Sequence, residues 1–161
     1  TVGMQLKYGA EDGSGNDQYF DWTDWQSGYL EETMFSGQHI LLVDDNDITA
    51  SIERQILVER GLLVDRAING EDAICMFEQS PMNYYDLILM DMGLPFMDGY
   101  ATTMGIRQIR EDGKTIPVIA LTSRLYADDE FHGEKYGMKA RLQKPVSTRK
   151  LVEAVREYIE K

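Results

Sequence analysis

The chain has 161 residues, 43% of them hydrophobic, and its 16 lysine and arginine residues stand against 28 aspartate and glutamate residues, for a net charge of −12. The hydrophobic fraction is sufficient for a buried core, which excludes a wholly disordered chain, and the negative charge argues against contact with nucleic acid or an anionic membrane. The single cysteine, Cys75, excludes an intrachain disulfide and is typical of a reducing compartment, so we expect a cytoplasmic chain.

Residues 1–37 differ from the rest of the chain in composition. One basic residue stands against seven acidic ones, both tryptophans are here, and Ser36-Gly37 closes the segment. We therefore predict a domain boundary near residue 37. Two interpretations of this acidic, aromatic-rich segment stay open. It is either a solvated linker or a segment that docks its aromatic side chains on a neighbouring domain.

Residues 38–161 alternate short apolar runs, rich in β-branched side chains, with stretches of helical period. Strands are predicted at residues 40–43, 62–66, 86–90 and 116–121, with a weaker fifth around 140–142. Helices are predicted over the Ile48, Ile52 and Ile56 repeat up to Gly61, after Asn69, near Gly99, from about Asp128 to Gly137, and from Ser147. Five strands alternating with five helices predict an α/β fold with a doubly wound, flavodoxin-like parallel sheet rather than a barrel.

Polar residues follow four of the five predicted strands. They are Asp44-Asp45 after the first strand, Asp91 after the third, Thr122-Ser123 after the fourth and Lys144-Pro145 after the fifth. Because the carboxyl ends of parallel strands lie at one edge of the sheet, we expect these distant residues to meet there, where open α/β folds bind ligands.

Each of these residues alone has an ordinary structural explanation, such as an acid at a helix start or a lysine in solvent. As a set, however, the three carboxylates of Asp44, Asp45 and Asp91 repel one another unless positive charge lies among them. Lys144 supplies one positive charge, and a hard divalent cation would supply the rest. A cation, a lysine and a central carboxylate suit phosphoryl transfer, with Asp91 as the nucleophile and Thr122 donating to a phosphate oxygen.

Four segments of the chain resemble the receiver domain of two-component response regulators. They are residues 41–46 (LLVDDN), 89–99 (LMDMGLPFMDG), 120–123 (ALTS) and 143–145 (QKP). The resemblance covers residues 38–161 and implies five strands in the order 2-1-3-4-5. It also implies that the domain catalyses its own phosphorylation and dephosphorylation.

The resemblance assigns a role to each residue of the set. Asp91 would accept a phosphoryl group from a phosphohistidine on a histidine kinase or a histidine phosphotransfer domain. Mg²⁺ would be bound by Asp45, Asp91 and the backbone carbonyl of Gly93, and by Asp44 through water. Lys144, Thr122 and Ser123 would contact the phosphate, with a cis peptide between Lys144 and Pro145.

One position departs from the family pattern, and two others lie where the family varies its chemistry. Receiver domains often have an aromatic residue three positions before the lysine, where this chain has Arg141, so we expect no aromatic switch of that kind. Gly93 and Arg124 occupy the positions where the family tunes hydrolysis of the acyl phosphate.

The protein context is predicted to be a hybrid sensor histidine kinase with this receiver at its end. The alternating apolar residues at positions 2, 4, 6 and 8 resemble the last strand of a kinase ATP-binding domain, and the parent protein could be membrane-anchored. No nucleic acid or membrane contact is expected for this chain, and pairing of two copies stays open.

Three alternative functions compete with this interpretation. The first is a stand-alone or degenerate receiver that acts only as an interaction module. The second is an aspartyl-phosphate phosphotransferase of another α/β family, which Gly93 disfavours because such enzymes place a second acid there. The third is a flavin-binding domain, in which Asp44-Asp45 would repel the phosphate.

Overall fold

Five parallel strands form one sheet within residues 34–123 and 131–159, the part of the chain that the computed structural model describes. The strands are β1 (His39–Val43), β2 (Leu63–Ala67), β3 (Leu87–Asp91), β4 (Val118–Thr122) and β5 (Met138–Gln143). They lie in the order β2-β1-β3-β4-β5. The predicted flavodoxin-like sheet is therefore confirmed, including the weak fifth strand.

Five α-helices accompany the sheet in the described residues. They are α1 (Asp47–Val58), α2 (Gly70–Gln79), α3 (Gly99–Arg107), α4 (Glu111–Thr115) and α5 (Thr148–Ile159). The short helix α4 has no counterpart among the predicted helices. The predicted start near Asp128 lies outside the described residues, and the stretch that follows forms a 3₁₀ turn, Gly133–Tyr136, which stops at Gly137 in the left-handed conformation. None of the helices described has the length and apolar character needed to cross a membrane.

Side-chain caps fix where the helices begin. Asn46 caps α1, because its side-chain oxygen accepts hydrogen bonds from the backbone N–H groups of Ile48 and Thr49. Asn69 caps α2 in the same way, as predicted, and Asp98 caps α3. The cap of α1 matters most for the carboxyl edge of the sheet, because this helix begins directly after Asp44 and Asp45.

Helix α1 is rotated differently from what its isoleucine repeat suggests. Ile48 and Ile52 are 72% and 54% exposed, whereas Ala50, Glu53 and Leu57 face inward. The Asn46 cap and a hydrogen bond of 3.0 Å from the Thr49 hydroxyl to Asp44 Oδ2 hold the helix in this phase. The repeat therefore predicts the helix correctly, but two of its three isoleucines lie in solvent and only Ile56 packs partly against the core.

The described chain packs against the core before β1 begins. Phe35 is buried in the apolar layer that contains Leu57 and Leu62, and its N–H donates to Arg60 O at 2.7 Å. Gly61 turns the chain beside it with a φ of +96°, and a Cβ at Gly61 would lie 2.5 Å from Phe35 O. The α1–β2 turn thus holds the chain segment that leads into β1. Of residues 1–37, which we predict to be a separate segment, those up to 33 lie outside the described chain.

Candidate functional site

Three carboxylates meet at the carboxyl edge of the sheet. Asp44 and Asp45 follow β1, Asp91 ends β3, and one oxygen from each lies within 4.8 Å of the others. Asp44 is fully buried and Asp91 is 7% exposed, whereas Asp45 faces solvent. Parallel pairing of β1 with β3 brings together residues that are 46 positions apart in the chain because it aligns the ends of the two strands.

The carboxylate of Asp44 is held by its neighbours. Oδ1 accepts the Asn46 N–H at 2.9 Å, and Oδ2 accepts from the Thr49 hydroxyl and from Lys144 Nζ, both at 3.0 Å. Burial by itself raises the pKa of Asp44, but the Asn46 N–H and the charge of Lys144 outweigh burial and lower the pKa below its ordinary value. Asp44 is therefore a fixed, ionised group.

Lys144 bridges two of the carboxylates. Its Nζ lies 3.0 Å from Asp44 Oδ2 and 3.3 Å from Asp91 Oδ2. Burial lowers the pKa of this ammonium, but the charges of Asp91 and Asp44 reverse the effect and raise the pKa above its usual value. The Lys144 N–H donates to Thr122 O at 2.7 Å, and the peptide bond to Pro145 is cis.

Asp91 is the central carboxylate of the group. Its Oδ1 accepts the Gly93 N–H at 3.0 Å, and its Oδ2 faces Lys144. Burial and the nearby charge of Asp44 raise the pKa of Asp91 above its ordinary value, although Gly93 and Lys144 oppose the rise. A divalent cation would offset this repulsion between Asp44 and Asp91, so the site favours binding one.

The remaining predicted residues lie at the same edge. Thr122 ends β4 one residue after Leu121, which pairs with Asp91, and its hydroxyl is 3.5 Å from Leu142 O, a long contact. Thr122 is buried and Ser123 is exposed. Gly93 adds no side chain next to Asp91. The other predicted tuning residue, Arg124, lies outside the described residues.

A fourth acidic side chain, which the sequence analysis missed, touches this group. Glu53 of α1 is only 5% exposed, contacts the Asp44 carboxyl, and has an Oε1 without a hydrogen-bond partner in the described structure. Burial, followed by the charge of Asp44, raises the pKa of Glu53 to about 8. Helical period from the Asn46 cap would place residues 50, 53 and 57 on one face, and that was the available signal.

Arg141 occupies the usual aromatic position with a stacked guanidinium. On β5 it pairs with Ala120 of β4, and its guanidinium carbon lies 4.9 Å from the centroid of the Phe131 ring. The Tyr100 hydroxyl accepts the N–H of the next residue, His132, at 2.8 Å, and the Tyr100 and Phe131 rings are 6.1 Å apart. The arginine therefore joins β5 to the segment that returns from β4, through a cation–π contact.

Comparison with known proteins gives consistent matches. A family model described as the response regulator receiver domain matches residues 40–156. Probable histidine kinase 2 of Oryza sativa subsp. japonica is 36% identical over 140 residues, which are 78% of this chain and 13% of that protein. Hybrid signal transduction histidine kinase L of Dictyostelium discoideum is 32% identical over 122 residues, 74% of this chain and 7% of that protein. The chain thus spans a small part of the length of these relatives.

A solved structure aligns over the whole of its own chain. It is the receiver domain of sensor histidine kinase PA1611 from Pseudomonas aeruginosa PAO1, with a magnesium ion coordinated in its active site cleft. Its TM-score is 0.69 and its sequence identity 34%, and the match covers 78% of the present chain and 100% of that one.

Proposed function

The chain belongs to the response regulator receiver family, and on that premise we propose that Asp91 accepts a phosphoryl group from a phosphohistidine in a reaction that requires Mg²⁺. The observation that carries this proposal is the meeting of Asp44, Asp45 and Asp91 oxygens within 4.8 Å, with Lys144 beside two of them. This arrangement joins a nucleophile, a cation site and a positive charge at one point, as phosphoryl transfer requires.

The donor atoms suit magnesium. Carboxylate and carbonyl oxygens are the ligands that this ion prefers, and we propose Asp45, Asp91 and the Gly93 carbonyl as direct ligands. Asp44 would act through water, because its oxygens already accept hydrogen bonds from Asn46, Thr49 and Lys144. When bound, magnesium supplies positive charge to the phosphoryl oxygens.

Each side chain of the site would have its own task in the phosphoryl transfer. A carboxylate oxygen of Asp91 attacks phosphorus and forms an acyl phosphate, while the phosphorus–nitrogen bond breaks and its electron pair stays on the donor imidazole. Lys144, now 3.3 Å from Asp91 Oδ2, would pair with an oxygen of the new phosphoryl group. The Thr122 hydroxyl, held only by a long contact, would donate to another, with Ser123 beside it.

The wider context follows from the relatives, which are named as histidine kinases. We propose that this receiver, residues 38–161, belongs to a hybrid histidine kinase and takes its phosphoryl group from a histidine kinase or histidine phosphotransfer domain in the cytoplasm. Residues 1–37 would link it to the preceding domain.

A small acyl phosphate such as acetyl phosphate tests the proposal without a partner protein. With Mg²⁺, the intact mass of the chain should rise by one phosphoryl group, and hydroxylamine should remove it, as expected for an acyl phosphate. With a chelator, no uptake should occur. Failure to take up phosphoryl at saturating Mg²⁺, or equal uptake with the chelator, would contradict the proposal.

Lys144→Ala should separate cation binding from the response to phosphorylation. The substitution removes a positive charge that competes for Asp44 and Asp91, so Mg²⁺ should bind as tightly as in the wild type or more tightly. The amide shift changes that accompany phosphorylation should be largely lost, because the phosphoryl group loses its link to β5. Calorimetric Mg²⁺ titration and amide NMR measure the two effects, with Lys139→Ala, an exposed lysine of β5, as control. Equal loss of both properties would contradict these roles.

A further inference from the structure

Arg66, on β2, binds the loop after β1, which carries Asp44 and Asp45. Its Nε donates to the backbone carbonyl of Asp44 at 2.9 Å, and its Nη1 lies 2.9 Å from Asp47 Oδ1. The next residue of β2, Ala67, accepts the Asp44 N–H at 3.1 Å. Strand β2 therefore holds the backbone of Asp44 at both its N–H and its carbonyl group.

Asp45 depends on this backbone for its position. Its side chain is exposed, and within the described residues it makes no hydrogen bond or ion pair. The carbonyl that Arg66 holds belongs to the peptide unit that leads into Asp45. Rotation of that peptide would swing the Asp45 carboxylate away from Asp91, and among the described residues no hydrogen bond or ion pair of the Asp45 side chain opposes it.

We propose that Arg66 is a positioning residue for the divalent cation, acting through the Asp44–Asp45 peptide. This inference rests on the proposed function of the site. Magnesium requires nearly ideal octahedral geometry, whereas calcium accepts variable geometry and more ligands. A residue that fixes one carboxylate therefore favours magnesium over calcium.

Charge alone predicts the opposite effect on affinity. The guanidinium is positive and lies at the edge of the acidic group, so its removal should tighten the binding of any divalent cation if electrostatics dominated. If positioning dominates, its removal weakens magnesium binding. The sign of the change therefore distinguishes the two roles.

A role of Arg66 in stability alone can also be distinguished from the positioning role. One guanidinium nitrogen, Nη2, is buried without a hydrogen-bond partner in the part of the chain that the structure describes, and such a group costs stability. Replacing Arg66 removes two favourable contacts together with this unfavourable one, so we expect only a modest loss of stability. A change in cation selectivity would not follow from a general loss of stability.

The test compares Arg66→Gln with the wild type in calorimetric titrations of Mg²⁺ and of Ca²⁺. We expect Mg²⁺ affinity to fall by about tenfold, the lower end of the usual effect of residues that orient metal ligands, and Ca²⁺ affinity to fall clearly less. Arg54→Gln is the matched control, because it removes the same charge from an exposed arginine of α1 whose Nε donates to Val64 O at 3.4 Å. Its cation affinities should stay close to those of the wild type.

Urea unfolding in a chelator establishes that each variant is folded. If the wild type binds no Mg²⁺, the proposed function of the site fails. If the wild type binds Mg²⁺ but Arg66→Gln binds it equally well or more tightly, or loses Mg²⁺ and Ca²⁺ affinity by the same factor, the positioning role of Arg66 is overturned.

Discussion

Asp91→Asn is expected to abolish phosphoryl uptake from acetyl phosphate at saturating Mg²⁺. The amide has nearly the same shape as the carboxylate and can still accept the Gly93 N–H, but it lacks the anionic oxygen that attacks phosphorus. Intact-mass measurement after incubation detects the added phosphoryl group directly. The loss of uptake should be complete, because Asp91 is the only described carboxylate that contacts both Lys144 and the Gly93 N–H.

Asp98→Asn provides the matched control for this experiment. Asp98 lies in the same β3–α3 loop, but its carboxylate caps α3 by accepting the Ala101 N–H, a role that asparagine can also fill. Uptake should therefore stay at the wild-type level. If Asp91→Asn took up phosphoryl as the wild type does, the acceptor would be another residue and the assignment of Asp91 would be wrong.

Glu53→Gln is expected to stabilise the domain increasingly as the pH rises from 5 to 8 in the absence of divalent cations. The pKa of Glu53 is raised from 4.5 to about 8 in the folded chain, mainly by burial. Between these values the unfolded chain gives up a proton that the folded chain keeps, so wild-type stability falls with rising pH. Glutamine keeps the size of the side chain but does not titrate, which removes this loss.

The size of the effect follows from the width of that pH interval. The advantage of Glu53→Gln in the free energy of unfolding should grow by about 3.5 kcal/mol between pH 5 and pH 8, at 1.36 kcal/mol per unit of pH and with the unfolded and folded chains only partly titrated at the ends of the interval. Urea unfolding of both chains at the two pH values measures the difference, with Glu71→Gln as an exposed control on α2. If the difference in the free energy of unfolding between Glu53→Gln and the wild type were the same at both pH values, Glu53 would hold no such proton.

The fold was predictable because its central strands are almost entirely apolar in sequence. Strands β1, β3 and β4 are short apolar runs whose residues are almost all buried, and helices separate them. The rule that parallel strands end at one edge was enough to predict that Asp45, Asp91 and Lys144 would lie at the same place. The short helix α4 escaped prediction because five residues contain too few turns to show a period.

The contacts that long side chains make with distant residues were not predictable. The isoleucines of α1 dominate its pattern, yet Ile48 and Ile52 face solvent and Glu53 faces the sheet, because the Asn46 cap sets the phase of the helix. The contact of Arg66 with Asp44 joins residues 22 positions apart through an extended guanidinium. Periodicity describes faces of elements and carries no information about which distant atom a long side chain meets.

The burial of Phe35 bears on how this receiver could be transplanted into another protein. The family match begins at residue 40, but Phe35 lies in the core and its N–H donates to Arg60 O. A chimera spliced at the family boundary would leave a hole beside Leu57 and Leu62 and expose the turn at Gly61. The junction that preserves the domain as an exchangeable module lies upstream of Phe35.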